Sequence, residues 1–281
     1  MIAGCGTEGP IGPSSTPVSS GSTTATLVGA GDIGVCASSA TEATARLLDA
    51  IPGTIFTAGD NAYPLGTSAD FRDCYHPTWG RHRDRTRPSP GNHDYYTAGA
   101  VPYFEYFGAA AGPGGLGYYS FRAGEWTAFS LNSNVPMSSS SSQVVWLQSA
   151  LQQSQTPCAV AYWHHPLFSS GPHGGLPETR GLWRSLYDAG VDVILNGHDH
   201  LYERFAPQDP DGRMDAARGI RQFTVGTGGA ELYPTVRVAA NTETIVNEYG
   251  VLKLTLRSAS YTWEFIGIDG RVRDSGSGAC H

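Results

Sequence analysis

Five short motifs in this 281-residue sequence carry side chains that can hold metal ions. They are Gly31-Asp32-Ile33-Gly34, Gly59-Asp60-Asn61-Ala62-Tyr63, Gly91-Asn92-His93-Asp94, Trp163-His164-His165-Pro166 and Gly197-His198-Asp199-His200. Together they offer carboxylate, amide and phenol oxygens and imidazole nitrogens, the donors that suit hard and borderline cations. One Gly-Asp after a strand is ordinarily a turn, and one His is ordinarily a core or surface residue. Five such motifs in order, each at a strand end, point instead to one metal-assisted site. A carboxylate has two oxygens, so an Asp among these donors can hold two cations side by side. Such a pair clamps a phosphoryl group and activates water for attack.

The elements that must position these motifs follow from the apolar pattern. Residues 26–30 and 54–58 read as buried strands, each ending in Gly-Asp, with a helix over 40–50 between them. Residues 117–121 and 126–131 read as paired strands about the turn Ala123-Gly124. A helix over 144–151 leads to a strand over 159–163 that ends in His-His-Pro. A helix over 182–189 leads to a strand over 191–195 that ends in Asn-Gly-His. Strands over 222–225, 250–256 and 261–266 complete the chain, and the serine run over 138–142 reads as a surface loop. Alternating strand and helix predict an α/β fold, and the later hairpins make the sheet mixed. Donors at strand ends lie in the crevice where open α/β sheets bind ligands.

Composition narrows the function. Charged residues are 15% of the chain and the net charge is −7, so no broad positive field is available to coat nucleic acid. No apolar run approaches the ~18–20 residues of a membrane-spanning helix. Ile2-Ala3-Gly4-Cys5 is similar to the lipobox that ends a bacterial lipoprotein signal peptide. The expectation is export, as a bacterial cell-surface lipoprotein attached to the membrane through lipid on Cys5, or as a secreted protein. The following Gly, Ser, Thr and Pro cannot bury enough apolar area to fold. Residues 1–24 therefore read as a tether and 25–281 as the catalytic domain. Cys36, Cys74, Cys158 and Cys280 remain, and an even number in an exported chain suggests two disulfides. Four cysteines allow three pairings. Cys36–Cys74 with Cys158–Cys280 is the expected one, because the second bridge staples the C-terminal tail to the body. No CxxC pair is present, which argues against a zinc or redox cysteine site.

The ordered motifs resemble the calcineurin-like metallophosphoesterase superfamily, and within it the purple acid phosphatase type. Most of the superfamily carries a metal-binding His where Gly34 stands. Purple acid phosphatases replace it with a Tyr three residues after the second Asp, where Tyr63 stands. The run from Gly197 to Arg204 also resembles that type's last motif and its flank, and the resemblance extends over roughly residues 27–229. It implies two mixed β-sheets packed as a sandwich and flanked by helices (αββα), with a dinuclear site at strand C-terminal ends. It places Asp32, Asp60, Tyr63 and His200 on the first metal. It places Asp60, Asn92, His164 and His198 on the second, with Asp60 bridging. Fe³⁺ is implied at the Tyr63 site, and Zn²⁺, Fe²⁺ or Mn²⁺ at the other. Plant-type members carry an additional N-terminal β-sandwich, for which residues 1–24 are too few.

The implied reaction is hydrolysis of small-molecule phosphate monoesters by a metal-bridging hydroxide. A phosphodiesterase or nucleotidase would use the same donors. A non-catalytic surface binding protein would be favoured by loss of a ligand or of His93, and all are present. His93, beside Asn92, is expected to protonate the leaving alcohol. Asp94 either orients that imidazole or caps a helix. The family places an outer-sphere His near His173, which would contact substrate phosphate, while His165 packs or lines the mouth. Arg81, Arg83, Arg85 and Arg87 read as a solvated face or loop rather than a phosphate-attracting patch. Trp79 and Trp163 read as core, and Tyr202 and Arg204 as supports.

Overall fold

The computed structural model describes residues 1, 2, 4 and 24–281. The expected lipid on Cys5 and the tether over 6–23 lie outside the described residues. Short apolar runs form strands buried on both faces, and alternating runs form strands with one wet face. In chain order the strands are β1 (Ala25–Ala30), β2 (Thr54–Ala58), β3 (Thr86–Ser89), β4 (Tyr119–Ala123), β5 (Trp126–Ser130), β6 (Cys158–Tyr162) and β7 (Val193–Asn196). They continue with β8 (Tyr202–Phe205), β9 (Arg221–Val225), β10 (Thr242–Val246), β11 (Gly250–Arg257), β12 (Ser260–Gly267) and β13 (Val272–Ala279). One sheet has the order β13-β12-β11-β1-β2-β3 and the other β10-β8-β9-β7-β6-β5-β4. Both are mixed: β1–β2–β3 and β5–β6–β7–β9 are parallel, and the outer pairs are antiparallel.

Alternation along the strands builds the layers. Val160 and Tyr162 of β6, with Val193 and Leu195 of β7, share a core with Leu252 and Leu254 of β11. The intervening Ala161 and Ile194 face the other way, against Val144 and Leu147 of the helix Ser142–Gln153 and Leu182, Trp183 and Leu186 of the helix Arg180–Asp188. The helix Ser39–Ala50 covers the first sheet, burying Ala45 and Leu48. Each such buried aliphatic side chain contributes about 1.5–3 kcal/mol. The result is helix, sheet, sheet, helix, the architecture that the motif resemblance implies. Among the described residues no helix is long and apolar enough to cross a membrane.

The expected elements are present, and four strands exceed them: β3, β8, β10 and β13. β3 contains Pro88, which a sheet tolerates because β3 is an edge strand. β13 is polar and glycine-rich, and its pairing is decided by its neighbour. Gly276 and Gly278 oppose Trp263 and Tyr261, and a Cβ there would lie 2.3 and 2.5 Å from those rings. β4 starts two residues later than expected, because Gly117 at φ +70° turns the chain before it. The serine run is more than a loop: Ser141 caps the helix that follows, accepting from Val144 N at 3.4 Å.

The four arginines make structural contacts. Arg81 pairs with Glu42 and Asp49, each at 2.9 Å. Arg85 donates to the carbonyls of Leu48, Ile51 and Gly53 at the end of the first helix. Arg83 and Arg87 lie over the rings of Tyr106 and Phe121. Trp79 and Trp163 are buried, and Tyr202 and Arg204 both bind Asp274 of β13.

The disulfides are Cys36–Cys74 and Cys158–Cys280. The second joins residues 122 apart and fastens the tail beyond β13 to the start of β6. Replacing both Cys158 and Cys280 with Ser should lower the unfolding free energy by about 2–5 kcal/mol in urea titration. An unchanged midpoint and slope would show that strand pairing alone holds the tail.

Candidate metal centre

The parallel pairing of β1 with β2 brings their C-terminal ends side by side, and each strand is followed at the same offset by an Asp. Asp32 and Asp60 therefore arrive together at one edge of the sandwich. β3 delivers Asn92, β6 delivers His164, and β7 delivers His198 and His200 from the second sheet. The turns are tight enough to force uncommon backbone conformations. Asp32, Asp60 and His198 have φ of 61°, 49° and 73°. The left-handed region costs a non-glycine residue about 1–2 kcal/mol. Such strain persists where the surrounding structure enforces it, most often at functional sites. Two motif glycines are needed for close approach. A Cβ on Gly91 would lie 2.1 Å from Asp60 Oδ1, and one on Gly197 would lie 2.6 Å from Asp32 Oδ2.

Seven donors converge in two groups. Tyr63 Oη lies 3.0 Å from both Asp32 Oδ1 and Asp60 Oδ2, and 3.3 Å from His200 Nε2. His200 Nε2 is 3.2 Å from Asp32 Oδ1. In the second group, His164 Nε2 lies 3.2 Å from Asp60 Oδ2, 3.0 Å from Asn92 Oδ1 and 3.2 Å from His198 Nδ1. Asp60 Oδ2 belongs to both groups. Backbone carbonyls fix two of the rings: Ala58 O lies 2.8 Å from His164 Nδ1, and Glu231 O lies 2.6 Å from His200 Nδ1. With Nδ1–H donated there, each ring presents its Nε2 to the cluster.

Electrostatics favours cations here. Asp32 and Asp60 are buried, and among the described residues their only ion-pair partners are histidines. Burial pushes the Asp60 carboxyl up, but the adjacent His164 more than offsets this and holds it below the usual carboxylate range. Burial opposes charge on His164 as well, yet Asp60 raises it to about 9. Burial and the imidazoles of His164, His165 and His173 hold His198 far below its usual value, so it is a neutral lone-pair donor. Burial, then Asp32 and Asp60, drive the Tyr63 phenol well above 10. Hard oxygens, imidazole nitrogens and two buried carboxylates whose only ion-pair partners among the described residues are histidines fit a pair of multiply charged metal ions.

The remaining sequence-predicted residues surround this cluster. His93 N donates to Asp60 Oδ1 at 2.8 Å. His93 Nδ1 lies 2.7 Å from Pro64 O, and its Nε2 lies 3.9 Å from Asp60 Oδ2. Asp94 does not hold the His93 ring. Its buried carboxylate accepts from Gly91 N at 2.8 Å, Asn61 Nδ2 at 2.9 Å and Asn61 N at 3.1 Å, capping the helix Asn92–Tyr96. Of the two expected roles, the cap is the one present, because the carboxylate points inward toward three N–H groups. His173 is exposed, with its ring 4.5 Å from that of His198. His165 Nδ1 lies 2.7 Å from Ser133 Oγ, and burial lowers this imidazole to about 3.

Sequence reasoning missed two aromatic neighbours and three carbonyls. Tyr96 packs on His93 with centroids 4.6 Å apart. Its spacing of three residues along a helix was an available signal. Tyr233 stacks on His200 at 4.0 Å and 11°. It lies in a stretch without periodicity, as does Glu231, so neither gave a signal. The carbonyls of Ala58, Pro64 and Glu231 are invisible to side-chain motifs.

Comparison with known proteins identifies the family. The family model for calcineurin-like phosphoesterases matches residues 25–202, and the chain belongs to that family. Its relatives include purple acid phosphatases. Purple acid phosphatase 15 of Arabidopsis thaliana is 30% identical over 62% of this chain and 40% of its own length. Purple acid phosphatase 21 of the same plant is 31% identical over 71% of this chain and 49% of its own length. The chain thus spans half or less of the length of these curated relatives. The purple acid phosphatase PPD1 from yellow lupin (Lupinus luteus) seeds shares the fold, with TM-score 0.83 and 18% identity over 92% of this chain and 54% of that one. GAP50, described as the anchor in the inner membrane complex of Plasmodium, shares it with TM-score 0.69 and 15% identity over 92% and 89%.

The Asp94 geometry makes a specific prediction. Asp94→Ala strips the acceptor from three buried N–H groups and should destabilise the metal-free protein by about 2–4 kcal/mol in urea unfolding. Asp94→Asn, which keeps one acceptor oxygen, should lose less. A shifted pH–rate profile with unchanged stability would instead make Asp94 a partner of His93.

Proposed function

We propose that this protein hydrolyses small-molecule phosphate monoesters at a dinuclear centre of the purple acid phosphatase kind. The observation that carries this reading is Asp60 Oδ2, one carboxylate oxygen common to two donor groups, 3.0 Å from Tyr63 Oη and 3.2 Å from His164 Nε2. Asp32, Asp60, Tyr63 and His200 hold the first metal in this reading. Asp60, Asn92, His164 and His198 hold the second. When bound, the pair would supply Lewis acidity toward phosphoryl oxygens and would make water acidic enough to lose a proton to solvent and attack phosphorus. A trivalent cation offsets the charges of Asp32 and Asp60 around Tyr63 better than a divalent one, which favours Fe³⁺ there. The imidazole-rich second group suits Zn²⁺, Fe²⁺ or Mn²⁺.

The chain's own residues do the rest. Donation of His93 Nδ1–H to Pro64 O leaves Nε2 facing the site, where it holds the proton for the leaving alcohol. Asp94 acts as a positioning residue, fixing Asn61 and Gly91 and hence the turn that presents Asn92 and His93. His173 stands beside His198 at the mouth, where its N–H meets substrate phosphate, and His165 lines the same mouth. The two disulfides suit an oxidising compartment. With the lipobox-like segment, they support export and attachment through lipid on Cys5.

Substitution and spectroscopy test this reading. Asp60→Ala should lose both metals together by elemental analysis. His93→Ala should keep both and lose ~10²–10⁴ in kcat, with a smaller loss for strongly acidic leaving groups. A single metal kept at full occupancy in Asp60→Ala would sink the bridging role, and equal losses across leaving groups would remove the proton donor. The remaining test is spectroscopic. Oxidised, iron-loaded protein should be pink to purple, because phenolate on Fe³⁺ absorbs in the visible. Tyr63→Phe should be colourless while still folded, and an unchanged spectrum would show that Tyr63 is not a ligand.

A further inference from the structure

The ends of β6 and β7 opposite the donor cluster carry another set of side chains that bind metals. Cys158 opens β6, and Asp192 stands immediately before β7. These strands are parallel neighbours, so their N-terminal ends lie side by side, as their C-terminal ends do at the motifs of His164 and His198. Cys280 and His281, just beyond β13, close the corner. Cys158 Sγ, Cys280 Sγ and a carboxylate oxygen of Asp192 all lie within 4.8 Å of one another. His281 Nδ1 lies 3.3 Å from Asp192 Oδ1. The sequence holds no CxxC pair to mark this corner, because its residues meet only through the fold.

Asp192 is 2% exposed, and among the described residues its only ion-pair partner is His281. A disulfide needs no carboxylate beside it. This one is nevertheless held in a fixed direction. Its Oδ2 accepts from Ala159 N at 2.9 Å, and its Oδ1 accepts from His281 N at 3.0 Å. Such outer contacts orient the carboxylates that bind metals. Burial pushes the Asp192 carboxyl up to about 6, the response of an anion short of positive charge. The reach is adequate as well. Bonds of about 2.3 Å in a tetrahedral zinc site set two thiolates about 3.8 Å apart. That separation falls inside the span of the present cluster. Cys158 is buried, whereas Cys280 is half-buried beyond an edge strand, where its side chain has room to turn.

We propose that Cys158, Cys280, Asp192 and His281 form a separate metal site, which takes one thiophilic divalent cation of the zinc and cadmium class when the Cys158–Cys280 bond is reduced. Two sulfurs, one imidazole nitrogen and one carboxylate oxygen make four donors of the types zinc takes. A dithiol supplies the two electrons. One of its sulfurs attacks Cys280 Sγ, the more accessible of the pair; the bond to Cys158 breaks, and Cys158 leaves as a thiolate. The second sulfur of the dithiol then displaces Cys280 and closes its own disulfide. The cation takes both thiolates, and the two protons of the dithiol pass to solvent. The metal thus fastens the tail to β6 when the disulfide does not. This inference is independent of the phosphoesterase reading.

Cadmium titration tests it. The whole chain, saturated with Zn²⁺ at the dinuclear centre, is reduced with dithiothreitol, freed of it anaerobically and titrated with Cd²⁺. Thiolate bound to Cd²⁺ absorbs in the near ultraviolet, and the dinuclear donors include no thiolate, so the band reads cysteines alone. Reduced protein should develop the band, and oxidised protein should not. Reduced Cys36→Ser/Cys74→Ser should keep it, saturating at one Cd²⁺ per chain. Asp192→Asn and His281→Ala should still form the disulfide in air. Each should weaken Cd²⁺ binding by about ten-fold or more, since losing even an outer contact of a metal ligand costs that much. No band in the reduced protein overturns the site. So does a band whose Cd²⁺ affinity is unchanged in both Asp192→Asn and His281→Ala, which would place the cation on thiolates elsewhere.

Discussion

A carboxylate taken out of water loses hydration worth several kcal/mol, and it is retained only where charge and N–H groups replace that hydration. Asp60 is 1% exposed. Its Oδ1 accepts the amide of His93, and its Oδ2 is shared between the Tyr63 phenol and the His164 imidazole. To reach this position the residue takes a left-handed conformation, and the facing residue, Gly91, must lack a side chain. The His93 amide sits there because Asp94 caps the same helix turn. The His164 ring is turned there by Ala58 O. Much of the local architecture therefore answers to one buried anion.

The sheets supply the directions. Parallel neighbours end on the same side, so two Gly-Asp turns after β1 and β2 place two carboxylates together. The second sheet brings imidazoles from β6 and β7 to meet them. Alternation in the last motif divides the labour: His198 and His200 face the donor cluster, while Asp199 turns away. Asp199 accepts from Ser169 Oγ and from His173 N, tying down the loop that carries His173. One strand later Glu203 does the same for Ser170, accepting from its amide at 2.9 Å and its hydroxyl at 2.5 Å. These buried carboxylates hold the mouth of the site from behind.

The same sandwich serves proteins as different as a lupin acid phosphatase and a Plasmodium membrane-complex anchor. Fold alone thus says little about activity, which resides in the donors grafted onto it. In this chain the donors form two groups around a shared oxygen. Tyr63 Oη lies among these donors, and a Cβ on Gly34 would lie 2.5 Å from Asn61 O. The donor set and the packing of the turns are consistent with each other.

What the sequence by itself determined was the donor types, their order and the strands that precede them. Donor types, their order and the apolar runs before them are local properties, and local patterns survive folding. Strands such as β2, β6 and β9 could be read for that reason. The tertiary structure alone decided what depends on distant partners. β13 pairs because Trp263 and Tyr261 need glycines opposite them. β3 tolerates Pro88 because no strand lies beyond it. Asp94 faces Asn61 rather than His93, since three buried N–H groups offer more than one imidazole in contact with solvent. The carbonyls of Pro64 and Glu231 orient His93 and His200, and every residue has a carbonyl, so no spacing could have marked these two. Proximity across 29 and 31 residues of chain made them part of the site.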